Sequence, residues 1–295
     1  MTETSERPDF LTVRELAALL RVTERKVYDL AATGQVPCNK ATGKLLFPEA
    51  EVRAWIDASR TGPAAQTARA RLSVILGSHD PLLEWAVRHS GSGLATIFDA
   101  SLDGLRRFQA GEGVAAGMHV HEADGDWNRN TVGAALEGTN AALIRWSRRQ
   151  RGFVVRPEVE REMRDVSDSA RLRIAPRQSE AGAEVLMREV MTDAGIDPDE
   201  LTYAAPCRSE QEAVLAVLQG EADAAFGLEM LAAPFGLAFL PVVEEPFDLL
   251  VDRAAWFDTP LQSLFAFARS DAFREHAGRM AGVDVSDLGK VIWNA

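Results

Sequence analysis

Residues 12–47, TVRELAALLRVTERKVYDLAATGQVPCNKATGKLLF, decide how the first part of the chain is read. Thr12 followed by Glu15 forms a capping box, and Leu16, Leu19 and Leu20 recur at helical spacing, so a short helix is expected to open at Val13 and end near Arg21. Thr23 is a second N-cap. After it, Val27 and Leu30 face inward, Arg25, Lys26 and Tyr28 are left for the outer face, and Thr33-Gly34 stops the helix. Two short helices joined by a turn of a few residues form a helix-turn-helix. The apolar runs 36–38 and 45–47 flank the polar, glycine-containing segment 39–44, which predicts a hairpin with a basic tip carrying Lys40 and Lys44. Pro48 suits the first turn of a third helix, whose Val52, Trp55 and Ile56 would cover the first two. Together these elements make a winged helix-turn-helix.

The stretch LTVRELAALLRVTERKVYDLAATGQVPCNKATGKLLFPEAEVRAWI, residues 11–56, is similar to the excisionase-type, MerR-related DNA-binding domain. The resemblance implies double-stranded DNA as partner. The second helix would lie in the major groove with Thr23, Arg25, Lys26 and Tyr28, and the wing would bring Lys40 and Lys44 to phosphate. The competing reading is a solvated helical hairpin with ordinary surface charges; caps, turn, wing and basic positions agree against it.

The chain of 295 residues is 46% hydrophobic, which suffices for two or three domains with proper cores. Its formal net charge of −12 is unevenly placed: residues 1–60 hold nine Lys and Arg against nine Asp and Glu, so the acidic excess lies beyond residue 60. Lys26, Lys40 and Lys44 are three of four lysines, and all fall where phosphate contact is expected. An acidic remainder discourages nonspecific DNA binding by the rest of the chain. Cys38 and Cys207 lie in different expected domains and give neither a disulfide framework nor metal-ligand spacing. The opening MTETSERPDF has no basic or apolar leader region, and no uninterrupted run of about eighteen apolar residues is present, so a soluble cytoplasmic protein with no membrane partner is expected.

Residues 59–70, SRTGPAAQTARA, read as a linker. The expected domains are a head at 1–60, a linker at 61–70 and a second domain at 71–295. In the second domain, strands at 72–76, 94–98 and 114–120 alternate with helices at 82–87 and from Leu102, which predicts an open, largely parallel sheet. A helix around 132–136 precedes strands at 143–145 and 152–156. Charged, helical or loop-like residues 157–169 lead to a strand at 172–174 and a helix at 183–194. A helix at 209–219, a strand at 222–227, a helix from Glu229 and strands at 238–242 and 247–251 follow. Residues 259–281 close the chain as helix.

The ordered phrases GSHDPLLEW, SLDGLRRFQAGEGVAAGMHV, DWNRNTV, RRQRGFVV, PRQSEAG, AVLAVLQGEADAAFGLE and FLPVVEEPFDLLV are similar to the periplasmic-binding-protein-like domain of intracellular regulators, related to the molybdate- and tungstate-binding proteins. The resemblance implies a multidomain α/β protein: the winged head plus a type II fold of two lobes joined by two crossing strands, with the ligand between them. Lobe one would take residues 71–151 and 244–295, and lobe two 152–243.

Ligands of open α/β lobes bind at strand C-termini, where helix N-termini favour anions. That rule selects Ser78, His79, Ser101 and His119 from lobe one, and Arg177, Gln178, Ser179, Ser209 and Glu229 from lobe two. Each serine reads equally as a simple N-cap. A metal site at His119-Val-His121 lacks a third ligand, and no cofactor is expected. Where oxyanion-binding relatives carry a Gly-Ser-Gly-Thr-Arg run, this chain has Ala181, Ala183 and Glu184, and Glu210 stands where relatives often have histidine. These departures put molybdate and tungstate in doubt.

The expectation is a non-enzymatic, one-component transcriptional regulator that senses a small molecule, an oxyanion or a small organic acid, as a homodimer or larger homo-oligomer. The alternatives are an enzyme acting on a small anionic metabolite or cofactor-biosynthesis intermediate, for which no nucleophile elbow, P-loop or dinucleotide fingerprint is found, and a nucleoid or phage-type architectural protein.

Overall fold

The computed structural model describes residues 10–40, 43–58, 71–179 and 181–295. The chain divides into two compact units, residues 1–70 and 71–295. The expected linker, the hairpin tip at Ala41 and Thr42, and Glu180 lie outside the described residues.

In the head, β1 (Phe10–Leu11) leads into α1 (Val13–Leu20), α2 (Glu24–Ala32), β2 (Phe47–Pro48) and α3 (Glu49–Ala58). The capping box forms: the Thr12 hydroxyl accepts the Glu15 N–H at 3.3 Å, and the Thr12 N–H reaches the Glu15 carboxylate at 2.8 Å. Arg21 ends α1 in the left-handed region at φ 54°, letting the Val22 N–H close on the Ala17 carbonyl at 3.0 Å. Thr23 caps α2 through the Lys26 N–H. Leu11, Leu16, Val27, Val36, Phe47 and Val52 make the buried core, with Trp55 and Ile56 packed against it. The hairpin is shorter than expected. Among the described residues its pairing is one bridge, Asn39 with Leu46, at 2.7 and 3.0 Å, and Phe47 and Pro48 instead pair with β1. Pro48 thus belongs to that strand pair, and α3 starts one residue later.

The second unit comprises β3 (Val74–Gly77), α4 (Pro81–His89), β4 (Ala95–Thr96), α5 (Ser101–Gln109), β5 (Ala115–Met118), α6 (Arg129–Leu136), β6 (Ala141–Val155), α7 (Pro157–Glu160), β7 (Arg173–Ala175), α8 (Gly182–Asp193), β8 (Thr202–Tyr203), α9 (Glu210–Leu218), β9 (Ala224–Leu228), α10 (Glu229–Ala232), β10 (Ala238–Asp252), α11 (Thr259–Ala268), α12 (Asp271–Ala277), β11 (Val283–Asp284) and β12 (Val291–Asn294). The strand order is β4-β3-β5-β10-β6-β9-β7-β8, with β11 and β12 also pairing with β6. The flanks β4-β3-β5 and β8-β7-β9 are parallel, as βα units require, but β6 and β10 run antiparallel to each other and to their neighbours. The sheet is therefore mixed rather than largely parallel.

The strands expected at 143–145 and 152–156 are one continuous 15-residue strand, and those at 238–242 and 247–251 are another. Arg149, Arg151 and Glu245, between the apolar runs, are buried rather than looped out, and the pairing of the two strands runs on through them, with register shifts between Pro241 and Val243 and between Phe247 and Asp248. One end of β10 pairs with β5 and one end of β6 with β12, while the other end of β6 pairs with β9. These two strands thereby link the first lobe to the second. The first lobe packs Trp146, Leu264 and Phe273 on one face of its sheet and Leu105, Phe108 and Leu143 on the other. The second lobe packs Phe153, Leu186 and Met187 on one face and Val154, Val214 and Val217 on the other. The final helical stretch is split where the Ser270 hydroxyl caps α12 through the Phe273 N–H at 3.3 Å.

Candidate functional site

In the head, Val27 and Ala31 bury one side of α2, which leaves Thr23, Arg25, Lys26 and Tyr28 exposed. Lys40 and Lys44 are exposed on either side of the hairpin tip. The described cationic groups are available for phosphate, and Tyr28 is 53% exposed without a core role.

In the second unit the strand-end loops of the first lobe meet. The Ser78 hydroxyl, just past β3, lies 2.8 Å from that of Ser101, the first residue of α5. The Ser101 hydroxyl also accepts the N–H of His119, just past β5, at 3.0 Å. Both serines are buried. A β-carbon on Gly104 would fall 2.3 Å from the Gly77 Cα, so glycine there is what lets α5 ride against β3 and bring Ser101 to Ser78. His119 reaches the second lobe: a β-carbon on Gly182, the first residue of α8, would lie 3.3 Å from its Cε1. The N-termini of α5 and α8 thus converge on one histidine.

Three other helices of this unit are capped. Asp80 accepts the Leu83 N–H at the start of α4 at 2.7 Å, Glu122 accepts from Asn130 and Thr131 at the start of α6 at 3.0 and 2.7 Å, and Ser209 caps α9 through Glu212 at 3.1 Å. The residues preceding α5 and α8, Ala100 and Ala181, make no side-chain cap.

A buried chain of ions adjoins His119. Arg149 donates to Asp80 at 3.0 Å and to Glu245; Arg151 donates to Glu245 and, at 2.8 Å, to Glu210. His119 Nδ1 lies 3.4 Å from the Glu245 carboxylate. Asp80, Arg149, Arg151 and Glu245 are 0% exposed. Burial alone would push Glu245 up, but Arg149 and Arg151, then His119, hold it well below the usual carboxylate range. Glu210 is likewise held low against burial by Arg151 and Arg149, and the Arg151 guanidinium is raised by Glu210 and Glu245 despite its burial. Among the described residues Arg149 Nε, Arg151 Nη1, Glu210 Oε2 and Ser147 Oγ are buried without a hydrogen-bond partner.

A second buried group lies on the same two strands. Arg145 and Asn128 both donate to Asp248, at 2.6 and 2.8 Å, and Asn128 accepts the Val120 N–H at 2.6 Å. Burial pushes Asp248 up against the pull of Arg145. Trp127 packs into the core of the second lobe, and His121 meets Glu189 of α8 at 2.7 Å, so the loop after β5 spans the two lobes.

The structure brings Ser78, Ser101 and His119 together and disperses the other expected site residues. His79 turns to the surface, 2.8 Å from Glu84 and edge-on to Phe98. The Arg177 guanidinium donates to the carbonyls of Cys207 and Arg208 at 3.2 and 3.0 Å, and its N–H to Glu184 at 2.8 Å. Gln178 and Ser179 are exposed. Glu229 opens α10 in contact range of Gly282. His119 and His121 point to different carboxylates, and among the described residues no three His, Cys, Asp or Glu side chains gather as a metal site.

Asp80, Arg149, Arg151, Glu210 and Glu245 escaped sequence reasoning as a group. The available signal was the alternation of Ser147, Arg149 and Arg151 between two apolar runs, which a single strand would place on one face.

The PBP superfamily domain model matches residues 83–269. The chain belongs to this superfamily. A helix-turn-helix domain model matches residues 10–60. The PBP superfamily domain and its head have a relative of the same extent in YvgK of Bacillus subtilis (strain 168), 24% identical over 311 aligned positions that span 99% of each chain. A protein encoded in the 5′ region of the ferredoxin gene of Clostridium pasteurianum is 26% identical over 110 residues, 37% of this chain and 97% of its own. Among solved structures, PhnD1 of Prochlorococcus marinus in complex with methylphosphonate superposes with a TM-score of 0.51 at 10% identity, covering 70% of this chain and 88% of that one. An H2O2-bound OxyR variant of Corynebacterium glutamicum gives 0.50 at 13% identity, covering 90% and 88%. At these identities the likeness establishes the fold. A helix-turn-helix domain joined to a PBP superfamily domain is the architecture of a ligand-sensing, DNA-binding regulator. No helix among the described residues is long and apolar enough to cross a membrane.

Proposed function

We propose that the chain is a one-component transcriptional regulator whose effector, a small anion, is held between the lobes where α5 and α8 converge on His119. The observation that carries this is that the two helix N-termini meeting at His119 lack side-chain caps, as those of α7, α10 and α11 also do, whereas α4, α6 and α9 have their N–H groups satisfied by Asp80, Glu122 and Ser209. Oriented N–H groups at two helix N-termini, with the Ser78–Ser101 hydroxyl pair beside them, supply donors and partial positive charge. Of the anions considered, a small carboxylate fits better than molybdate or tungstate, because Asp80, Glu245 and Glu210 already outnumber the two arginines and a dianion would add more negative charge beside them than a monoanion.

The effector changes DNA binding only if it favours one arrangement of the lobes over another. A single head supplies one half-site, so a homodimer or larger oligomer on a pseudo-palindromic operator is part of the proposal, as is action in the cytoplasm.

Thermal denaturation with molybdate, tungstate, sulfate and short carboxylates tests it. A bound effector at a hundredfold above its Kd stabilises by about 2.7 kcal/mol, and Ser101→Ala is expected to reduce the shift. No shift from any of these anions would contradict an anion site, and a shift untouched by Ser101→Ala would place the anion elsewhere.

A further inference from the structure

Arg151 and Glu210 meet through one nitrogen and one oxygen only, at 2.8 Å. The other atoms of the two groups, Arg151 Nη1 and Glu210 Oε2, are buried and have no hydrogen-bond partner among the described residues. Arg151 has no solvent exposure and its guanidinium sits near the Phe226 ring, 5.9 Å from the centroid, whereas the Glu210 side chain keeps 18% exposure. An unmet donor and an unmet acceptor on two charged groups are costly to bury. The same ion pair is tied through Glu245 to His119, on which the uncapped helix N-termini converge.

We propose that the effector carries, besides its anionic end, a neutral carboxamide-type group that accepts from Arg151 Nη1 and donates to Glu210 Oε2. This rests on the ligand-sensing reading of the cleft given above and specifies the effector class within it. A carboxylate has acceptors only: it would satisfy Arg151 and set its second oxygen against Glu210. An amine has donors only and would leave Arg151 unmet. A carboxamide holds acceptor and donor on one carbon and completes both with ordinary hydrogen bonds of about 2.9 Å. The class is therefore a short organic acid bearing a primary amide or lactam, with Arg151 and Glu210 as the residues that determine specificity.

The test uses the full-length protein and matched probes: succinamate and glutaramate, their dicarboxylates succinate and glutarate, and 4-hydroxybutyrate. Calorimetric or thermal-shift titration is expected to give at least tenfold tighter binding of a monoamide than of its dicarboxylate. Glu210→Gln turns Oε2 into a donor, so the preference is expected to reverse toward the dicarboxylate. Circular dichroism and DNA binding of the variant verify that it folds; should it not, the wild-type ratio alone decides. The inference is overturned if a dicarboxylate or 4-hydroxybutyrate binds as tightly as the monoamide, if none of the probes binds, or if Glu210→Gln leaves the ratio unchanged. Anion-dependent stabilisation that persists without amide preference overturns this inference alone. Loss of both stabilisation by every anion and binding to the upstream DNA overturns the regulator reading itself.

Discussion

Arg149 on β6 and Glu245 on β10 are direct cross-strand partners, hydrogen-bonded to each other and without solvent exposure, in the two strands that connect the lobes. Neither charge has water to fall back on, so each depends on the other. Removing one member of a buried pair costs about 3–5 kcal/mol because the survivor stays buried. Glu245→Gln is therefore expected to lower the stability of the second unit by that order, read from the urea midpoint at neutral pH. A loss under about 1 kcal/mol would mean that the strands relax and hydrate.

The same pair fixes a pH dependence. Glu245 and Glu210 have folded values below their ordinary 4.5, so their contribution is present above that value and is lost as pH falls through the lower folded values. The stability gap between wild type and Glu245→Gln is expected to stay level from pH 7 to about 5 and to narrow below it. A gap that narrows on the alkaline side would contradict this sign.

Glu184 behaves in the opposite sense. Burial raises its carboxyl above the ordinary 4.5, against the Arg177 N–H and the charges of Arg188 and Arg177. A raised acid penalises the fold while ionised, and the penalty fades as pH falls through the folded value. Glu184→Gln keeps an oxygen for the Arg177 N–H, so Tm is expected to rise or hold at pH 7 and the difference to vanish toward acid. A variant less stable at pH 7 would show that the ionised carboxylate is needed.

Much of the architecture could be read from local patterns, and the heart of the cleft could not. Thr12 with Glu15 and Thr23 mark helix starts through neighbours three residues away, and both caps form. Ser78, Ser101 and His119 sit where strands end, a position visible in the hydropathy of residues 74–119. The run Arg148-Arg149-Gln150-Arg151 looked like a polar break because charge ordinarily marks surface. What buries Arg149 and Arg151 is Glu245, 96 and 94 positions away, together with Asp80, 69 positions from Arg149. No local pattern encodes such partners, so one long strand reads as two short ones and its ion-paired middle as a connection. His79 lies apart from these three for the converse reason. Its neighbour Glu84, one helical turn on, offers a local surface partner that a strand-end rule ignores.

Gly182 tests whether contact between the lobes carries the response. Its missing β-carbon leaves room for His119, so Gly182→Leu is expected to wedge the lobes apart. The variant should keep binding DNA through its head and lose at least tenfold in effector affinity, measured by anisotropy and calorimetry in parallel. Unchanged effector binding would show that this contact is not part of the bound state.

The most direct measurement is the affinity of the full-length chain for its own upstream DNA against an unrelated duplex of equal length, across a salt series. If the head reads sequence through α2 and phosphate through its lysines, the upstream fragment binds at least tenfold more tightly. Lys26→Ala then lowers the slope of log K against log salt by about 1. Equal affinity for both duplexes, with a slope indifferent to Lys26, would contradict a DNA-reading regulator.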